Sequence, residues 1–188
     1  MAMQTKKLLV FLFLGVTLGG TCLFTAWTTV RESANSVIDP VAASDGFKTA
    51  TYTGFTVKWR VSGPTLDVKV SYPTTGWVGV GFLPTTRMLG ANIIMGSVSG
   101  SSVSISDRFG ASSTGEPVVD GQDNITNKTG TETSGVTEIS FSIPMDSPDD
   151  EQDKDLIEGN TITVILGASG SDSFSSQHSK RSTIQIVL

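Results

Sequence analysis

The chain has 188 residues, a formal charge of −5, one histidine and one cysteine. That length leaves room for one domain of ordinary size behind an apolar N-terminal run. The acidic balance argues against a nucleic-acid partner, because phosphate binding needs clustered Lys and Arg. A single cysteine, Cys22, excludes an intrachain disulfide, a thiolate zinc site and covalent cofactor attachment through Cys-x-x-Cys-His.

Lys6 and Lys7 precede Leu8–Trp27, an uncharged apolar stretch. Residues 1–28 are therefore either a signal anchor or a cleaved signal peptide. A bilayer core of ~30 Å needs about 20 helical residues, whereas signal h-regions run roughly 7–15. No Ala-x-Ala site follows. Leu18-Gly19-Gly20-Thr21-Cys22 is similar to a lipoprotein cleavage site, although Thr21 beside the cysteine fits it poorly. Basic residues ahead of the span keep the N-terminus in the cytoplasm and put the domain outside. The expected location is thus membrane-anchored with an extracytoplasmic domain, or else secreted or periplasmic. Lys6 and Lys7 are the only charges in residues 1–27, so the remainder carries about −7, a charge that favours solubility. Residues 29–46, with Pro40, read as a polar linker, and residues 47–188 as the domain.

From Phe55 the chain alternates. Phe55, Val57, Trp59 and Val61 share one face and Thr56, Lys58 and Arg60 the other, the period of a half-buried strand. Ser62-Gly63-Pro64 breaks it, and Leu66, Val68, Val70 and Tyr72 form a second alternating run, giving a hairpin or meander. Trp77–Phe82 is a third strand whose glycines leave one face bare, so that another group can approach the sheet closely. Further strands are predicted over Asn92–Val98, Val103–Arg108, Thr137–Ile143, Thr161–Ala168 and Ser182–Leu188. Short strands at this spacing predict an all-β sandwich of immunoglobulin-like form. Gly110–Gly135 reads as a polar surface excursion carrying two glycosylation-type triplets, at Asn124 and Asn127. Asp146–Asp155 reads as a solvated acidic loop or helical turn; its spacing is not that of an EF-hand, which argues against calcium there.

Gly76-Trp77-Val78-Gly79-Val80-Gly81-Phe82, then Met88-Leu89-Gly90-Ala91-Asn92 and an apolar strand, resembles the DOMON domain. Asp107-Arg108, the run Thr137–Ile143 into Pro144, and His178 followed by Arg181 extend the resemblance over roughly Phe47–Leu188. Asn92 stands where the family usually has aspartate. The resemblance implies a DOMON-type sandwich. In the haem-binding branch, which includes the cytochrome domain of cellobiose dehydrogenase, a b-type haem lies between a methionine and a histidine at one end of the sandwich. Met88 and His178 fall at those positions.

A thioether and an imidazole can cap both faces of a haem iron. The resemblance therefore implies non-covalent haem b with Met88 and His178 as axial metal ligands, facing each other across one apolar pocket. Each residue has a plainer reading: Met88 as a packing side chain at a loop edge, and His178 as an exposed loop residue. Arg181 either meets a haem propionate or is a surface arginine. Trp77 either stacks on the haem or belongs to the core. Met95, taken as lying at a strand end, is the rival methionine and reads as core, and Met145 reads as packing. The implied function is one-electron transfer to or from a separate redox partner protein. The alternative is a haem-free module binding a sugar or another small ligand. One histidine leaves no separate nucleophile–base constellation, so the chain is not read as an enzyme by itself.

Overall fold

The computed structural model describes residues 37–38, 43–148 and 152–188. The apolar segment 8–27 lies outside these. The described residues form two β-sheets and no helix. In chain order the strands are β1 (Val37–Ile38), β2 (Lys48–Tyr52), β3 (Phe55–Ser62), β4 (Thr65–Tyr72), β5 (Val78–Phe82), β6 (Asn92–Ser99), β7 (Ser102–Phe109), β8 (Val118–Val119), β9 (Thr126–Thr133), β10 (Val136–Pro144), β11 (Thr161–Ala168) and β12 (Lys180–Val187). The larger sheet has the order β1-β12-β11-β5-β6-β7-β8, and the smaller β2-β3-β4-β10-β9. All pairings are antiparallel except β1 with β12.

Alternation decides which side chains lie between the sheets. Phe55, Val57 and Trp59 of β3, Leu66, Val68 and Val70 of β4, and Ile139, Phe141 and Ile143 of β10 point inward from the smaller sheet. They meet Val78, Val80 and Phe82 of β5, Ile94 of β6, Val164 and Leu166 of β11, and Ile184 and Ile186 of β12. The polar residues between them line the outer faces, as the period of 2 requires. Trp59 is wholly buried, and its indole N–H donates to the Val187 carbonyl at 3.0 Å, tying the smaller sheet to the last strand of the larger.

Four segments differ from the sequence reading. The excursion at 110–135 contains β8 and β9. Strand β9, Thr-Asn-Lys-Thr-Gly-Thr-Glu-Thr, is an edge strand with almost every residue exposed. It has no apolar face to alternate, so pairing with β10 rather than burial defines it. Strand β2, five residues with only Ala50 buried, is the other edge of the same sheet. Within the segment read as linker, Val37 and Ile38 pair in parallel with Gln185 and Ile186. The acidic stretch after Asp146 is not uniformly solvated either, since Asp153 is only 5% exposed. Of the two glycosylation-type residues, Asn124 is engaged through its side-chain amide with Ser147 Oγ at 3.3 Å, and Asn127 with Ser142 Oγ at 3.1 Å.

Truncating Trp59 removes the largest fully buried side chain and its link to β12. Trp59→Ala is expected to cost about 3–5 kcal/mol. Equilibrium urea unfolding of the variant and the parent protein checks this; a cost below 1 kcal/mol would contradict the packing described.

Candidate functional site

The outer face of the larger sheet is as unusual as its inner face is ordinary. On β5 the outward residues are Gly79 and Gly81. Across the ladder, Gly79 pairs with Met95 and Gly167, and Gly81 with Ile93 and Ile165. The protein's own side chains occupy the space above these glycines. A methyl group on Gly81 would lie 2.7 Å from Ile165 Cγ1. One on Gly79 would come within 3.3 Å of Met95 Cγ, and one on Gly167 within 3.3 Å of the Trp77 ring. Glycine here lets Trp77, Ile93, Met95 and Ile165 settle onto the backbone as a second apolar cluster, against which Met88 and Phe174 pack.

Above this floor opens a cleft of about 590 Å³. Both Met88 and His178 line it, as do Trp77 and Arg181. Met88 lies in the β5–β6 loop and His178 in the β11–β12 loop. Because Val78 pairs with Ala168 and Phe82 with Val164, those loops leave opposite ends of the central strand pair. Each folds back over the sheet's outer face toward the other. The five residues of β5 between them span about 14 Å at the usual rise per residue. The cleft therefore sits on a sheet face, not at one end of the sandwich.

Both loops are fastened by backbone contacts. In the Met88 loop, Leu89 N–H donates to Thr86 O at 3.0 Å, Thr85 N–H to Leu89 O at 2.7 Å and Ala91 N–H to Met88 O at 3.1 Å. Arg87 adopts φ 55° and Gly90 φ 70°, the left-handed steps that turn the chain back. Gly110 lies directly against the Met88 carbonyl and exchanges hydrogen bonds with its neighbours, Gly90 N–H to Gly110 O at 2.7 Å and Gly110 N–H to Ala91 O at 2.9 Å. On the other side, the Trp77 indole N–H donates to Ser176 O at 3.2 Å, and Ser179 N–H donates to Ala168 O at 2.8 Å. His178 is thus held between two anchors, with its Cβ 3.7 Å from the position a Gly167 methyl would take.

Trp77 is 4% exposed and belongs to the outer cluster, not to the sandwich interior. It both lines the cleft and positions the histidine loop. Met95 is not at a strand end: it lies in the middle of β6, 3% exposed, in the floor of the cleft. Met145 packs in the sandwich core. Met88 and His178 are half-buried, and Arg181 is exposed at the rim.

Sequence reasoning overlooked several lining residues. Arg87 adds a second exposed arginine beside Met88, and Phe174 an aromatic edge. Residues 113–117 form a side wall. Arg108, 9% exposed, braces that wall. Its guanidinium donates to Pro117 O at 2.9 Å and Glu116 Oε1 at 3.3 Å, and it lies 5.3 Å from the centre of the Phe174 ring. The pairing of Ile93 with Arg108 put Arg108 on the outer face, a relation visible only once register is known.

A family model described as the DOMON domain matches residues 51–170. No curated protein matches the chain. Among solved structures, the cytochrome domain of Myriococcum thermophilum cellobiose dehydrogenase superposes with a TM-score of 0.60 at 15% identity, covering 80% of this chain and 88% of that one. The cytochrome b domain of pyranose dehydrogenase from Coprinopsis cinerea superposes with a TM-score of 0.61 at 15% identity, covering 78% and 85%. At these identities the likeness is one of fold.

Any side chain on Gly110 must push the Met88 carbonyl away. Gly110→Ala is expected to cost about 1–3 kcal/mol, the range for an overpacked site. Gly170→Ala, where nothing lies within 4 Å of the added methyl, is expected to stay within about 0.5 kcal/mol of the parent. Thermal unfolding of the two variants side by side tests whether the Met88 loop is clamped as described.

Proposed function

The chain belongs to the DOMON domain family, and on that premise we propose that it carries electrons one at a time through a non-covalently held b-type haem. Met88 and His178 are the residues that would hold its iron. The observation that carries this reading is that two loops from opposite ends of the sheet bring a thioether and an imidazole to one cleft. The fit is also one of surroundings. The floor is apolar (Trp77, Ile93, Met95 and Ile165), the volume lies within the range of cofactor pockets, and cationic side chains stand at the rim.

When bound, haem supplies the ferric–ferrous couple. The protein's part is to hold and exclude. Met88 and His178 would both hold the iron, which would leave no open site for oxygen or substrate. A methionine ligand favours the ferrous state and raises the potential relative to two histidines. Trp77, through its hydrogen bond to Ser176, keeps the His178 loop from swinging outward. Arg181 and Arg87 are suited to pair with propionate carboxylates, since a guanidinium forms paired hydrogen bonds with a carboxylate. Met95, deep in the floor, packs instead of ligating. The same proposal includes export of the domain behind residues 1–28 and a separate redox partner protein, because two protein ligands suit the iron to outer-sphere exchange.

Protein purified with haem should show a low-spin spectrum, and acid acetone should extract the pigment. His178→Ala is expected to abolish low-spin binding. Met88→Ala should leave a five-coordinate or water-ligated iron of lower potential, and Met95→Ala should keep the parent ligation. A parent spectrum in Met88→Ala with an altered one in Met95→Ala would overturn the ligand assignment. Folded protein that takes up no haem would return the cleft to the binding-module reading.

A further inference from the structure

Arg108 is the one lysine or arginine that is buried among the described residues. It lies on the outer face of β7, against the side wall of the cleft. A buried guanidinium needs partners that replace water. Here they come from three segments. Its Nε–H donates to Ser106 Oγ on β7 at 3.2 Å. Its Nη1 donates to Pro117 O at 2.9 Å and to Glu116 Oε1 at 3.3 Å, both in the wall. Its central carbon lies over the Phe174 ring, 5.3 Å from the centre, in the loop that carries His178. The Glu116 side chain is 53% exposed, so the ion pair alone contributes little. The combination is what arginine offers and lysine does not: a planar cation can lie over a ring while its N–H edge donates to a carbonyl.

Resting on the haem reading, we propose that Arg108 is a positioning residue that clasps the 113–117 wall to the His178 loop, and so retains haem in the cleft and holds the imidazole in place.

Among the described residues, the side-chain hydrogen bonds that join residues 113–117 to a strand both start at Arg108. The His178 loop is tied more often. Ser176 O accepts the Trp77 indole N–H, and Ser179 N–H donates to Ala168 O. Both ties fix the loop to the sheet. Phe174 is the tie that runs through Arg108 to the wall. The same ring packs on the outer apolar cluster, so it joins floor, wall and loop. The charge acts as well. An arginine cannot be deprotonated in a protein. A fixed positive charge near the cleft favours reduced iron, which carries one positive charge fewer.

Glu116 and Pro117 line the cleft, and so do Phe174 and His178. Releasing Arg108 therefore loosens two lining segments at once. A bound haem leaves when such segments part, so its rate of loss reads the clasp. The contacts of Arg108 need no ligand, which lets the clasp be measured in the haem-free chain too.

The test uses the full-length chain in mild detergent, with and without haem. Arg108→Met loses the hydrogen bonds to the wall and the contact with the ring, so haem should pass to excess apomyoglobin at least about ten-fold faster. Phe174→Leu, at a half-buried position, loses the ring contact alone and should speed the loss about two- to five-fold. The double variant should fall short of the product of the two single effects, because the two side chains act on each other. The low-spin spectrum should persist in all of them. The reduction potential should fall in Arg108→Met and stay near that of the parent in Arg108→Lys, a split that packing alone does not produce. In the haem-free chain, amide hydrogen exchange should quicken in Arg108→Met over both 111–117 and 171–178. Haem loss and exchange that stay at parent rates in folded Arg108→Met and Phe174→Leu would overturn the proposal, as would a double variant that equals the product. A parent that takes up no haem, with exchange in both segments still answering to Arg108→Met, would sink the haem reading and leave the clasp standing.

Discussion

The missing side chains at Gly79, Gly81 and Gly167 are the constraint from which the cleft follows. A β-strand buried on one face ordinarily exposes a row of polar side chains on the other, and nothing large can lie down on it. Here the outward positions of β5, and one on β11, carry hydrogen only. The neighbouring Trp77, Ile93, Met95 and Ile165 bend over the bare backbone and form a second apolar layer outside the sandwich. Burial of a tryptophan, at 150–250 Å² and roughly 25 cal/mol per Å², is worth about 4–6 kcal/mol as an upper figure. That exceeds the propensity cost of about 1 kcal/mol for a glycine in an element interior. The outer layer is therefore self-supporting, and it offers an apolar floor without waiting for a ligand.

A floor alone would be a groove. The two loops make it a site, and each is fixed by the same economy of atoms. Gly110 abuts the Met88 carbonyl where any larger residue would displace it. Trp77 spends its one polar atom on the Ser176 carbonyl, two residues ahead of His178. The side chains of Met88 and His178 stay half-buried, while their backbones are bound to the rigid sheet. This division suits a pair of ligands, because positional error in a ligand comes mainly from the backbone that carries it.

The sandwich was legible in the sequence because its core strands alternate without interruption. Strands β3, β4, β10 and β11 show the period of 2 directly. Strand β9 was not, since a Thr-rich edge strand buries nothing and its pairing is a tertiary fact. The glycine pattern of β5 announced a close approach to the sheet, but not that Trp77 and Met95 would be what approaches. The two loop residues Met88 and His178 were singled out by resemblance to a family motif. Their presence in one cleft depends on strand order: β5 and β11, far apart in sequence, pair directly in the larger sheet. Asp153 shows the limit most clearly. Among the acids that follow Asp146 it looks like another solvated charge, and only the fold brings it to Asp107 and Asp120 from distant segments.

Strand β7 links the cleft to a buried group of carboxylates, Asp107, Asp120 and Asp153. Along β7, Asp107 pairs with Ile94 and faces the sandwich interior, while Arg108 pairs with Ile93 and faces the cleft. Successive residues thus send a carboxyl to the buried acidic cluster and a cation to the cleft wall. The backbone between them is shared, so anything that fixes Asp107 also fixes Arg108, its hold on Pro117 and its approach to Phe174. A register shift of one residue would put the aspartate into the apolar layer and the arginine among the carboxylates. Asp107 would then stand in an apolar layer, and Arg108 would lose its hold on Glu116 and Pro117 and its approach to Phe174. The alternation of β7 therefore protects its own register. The same alternation is what lets an acidic chain present a cationic brace on the cleft side of the sheet.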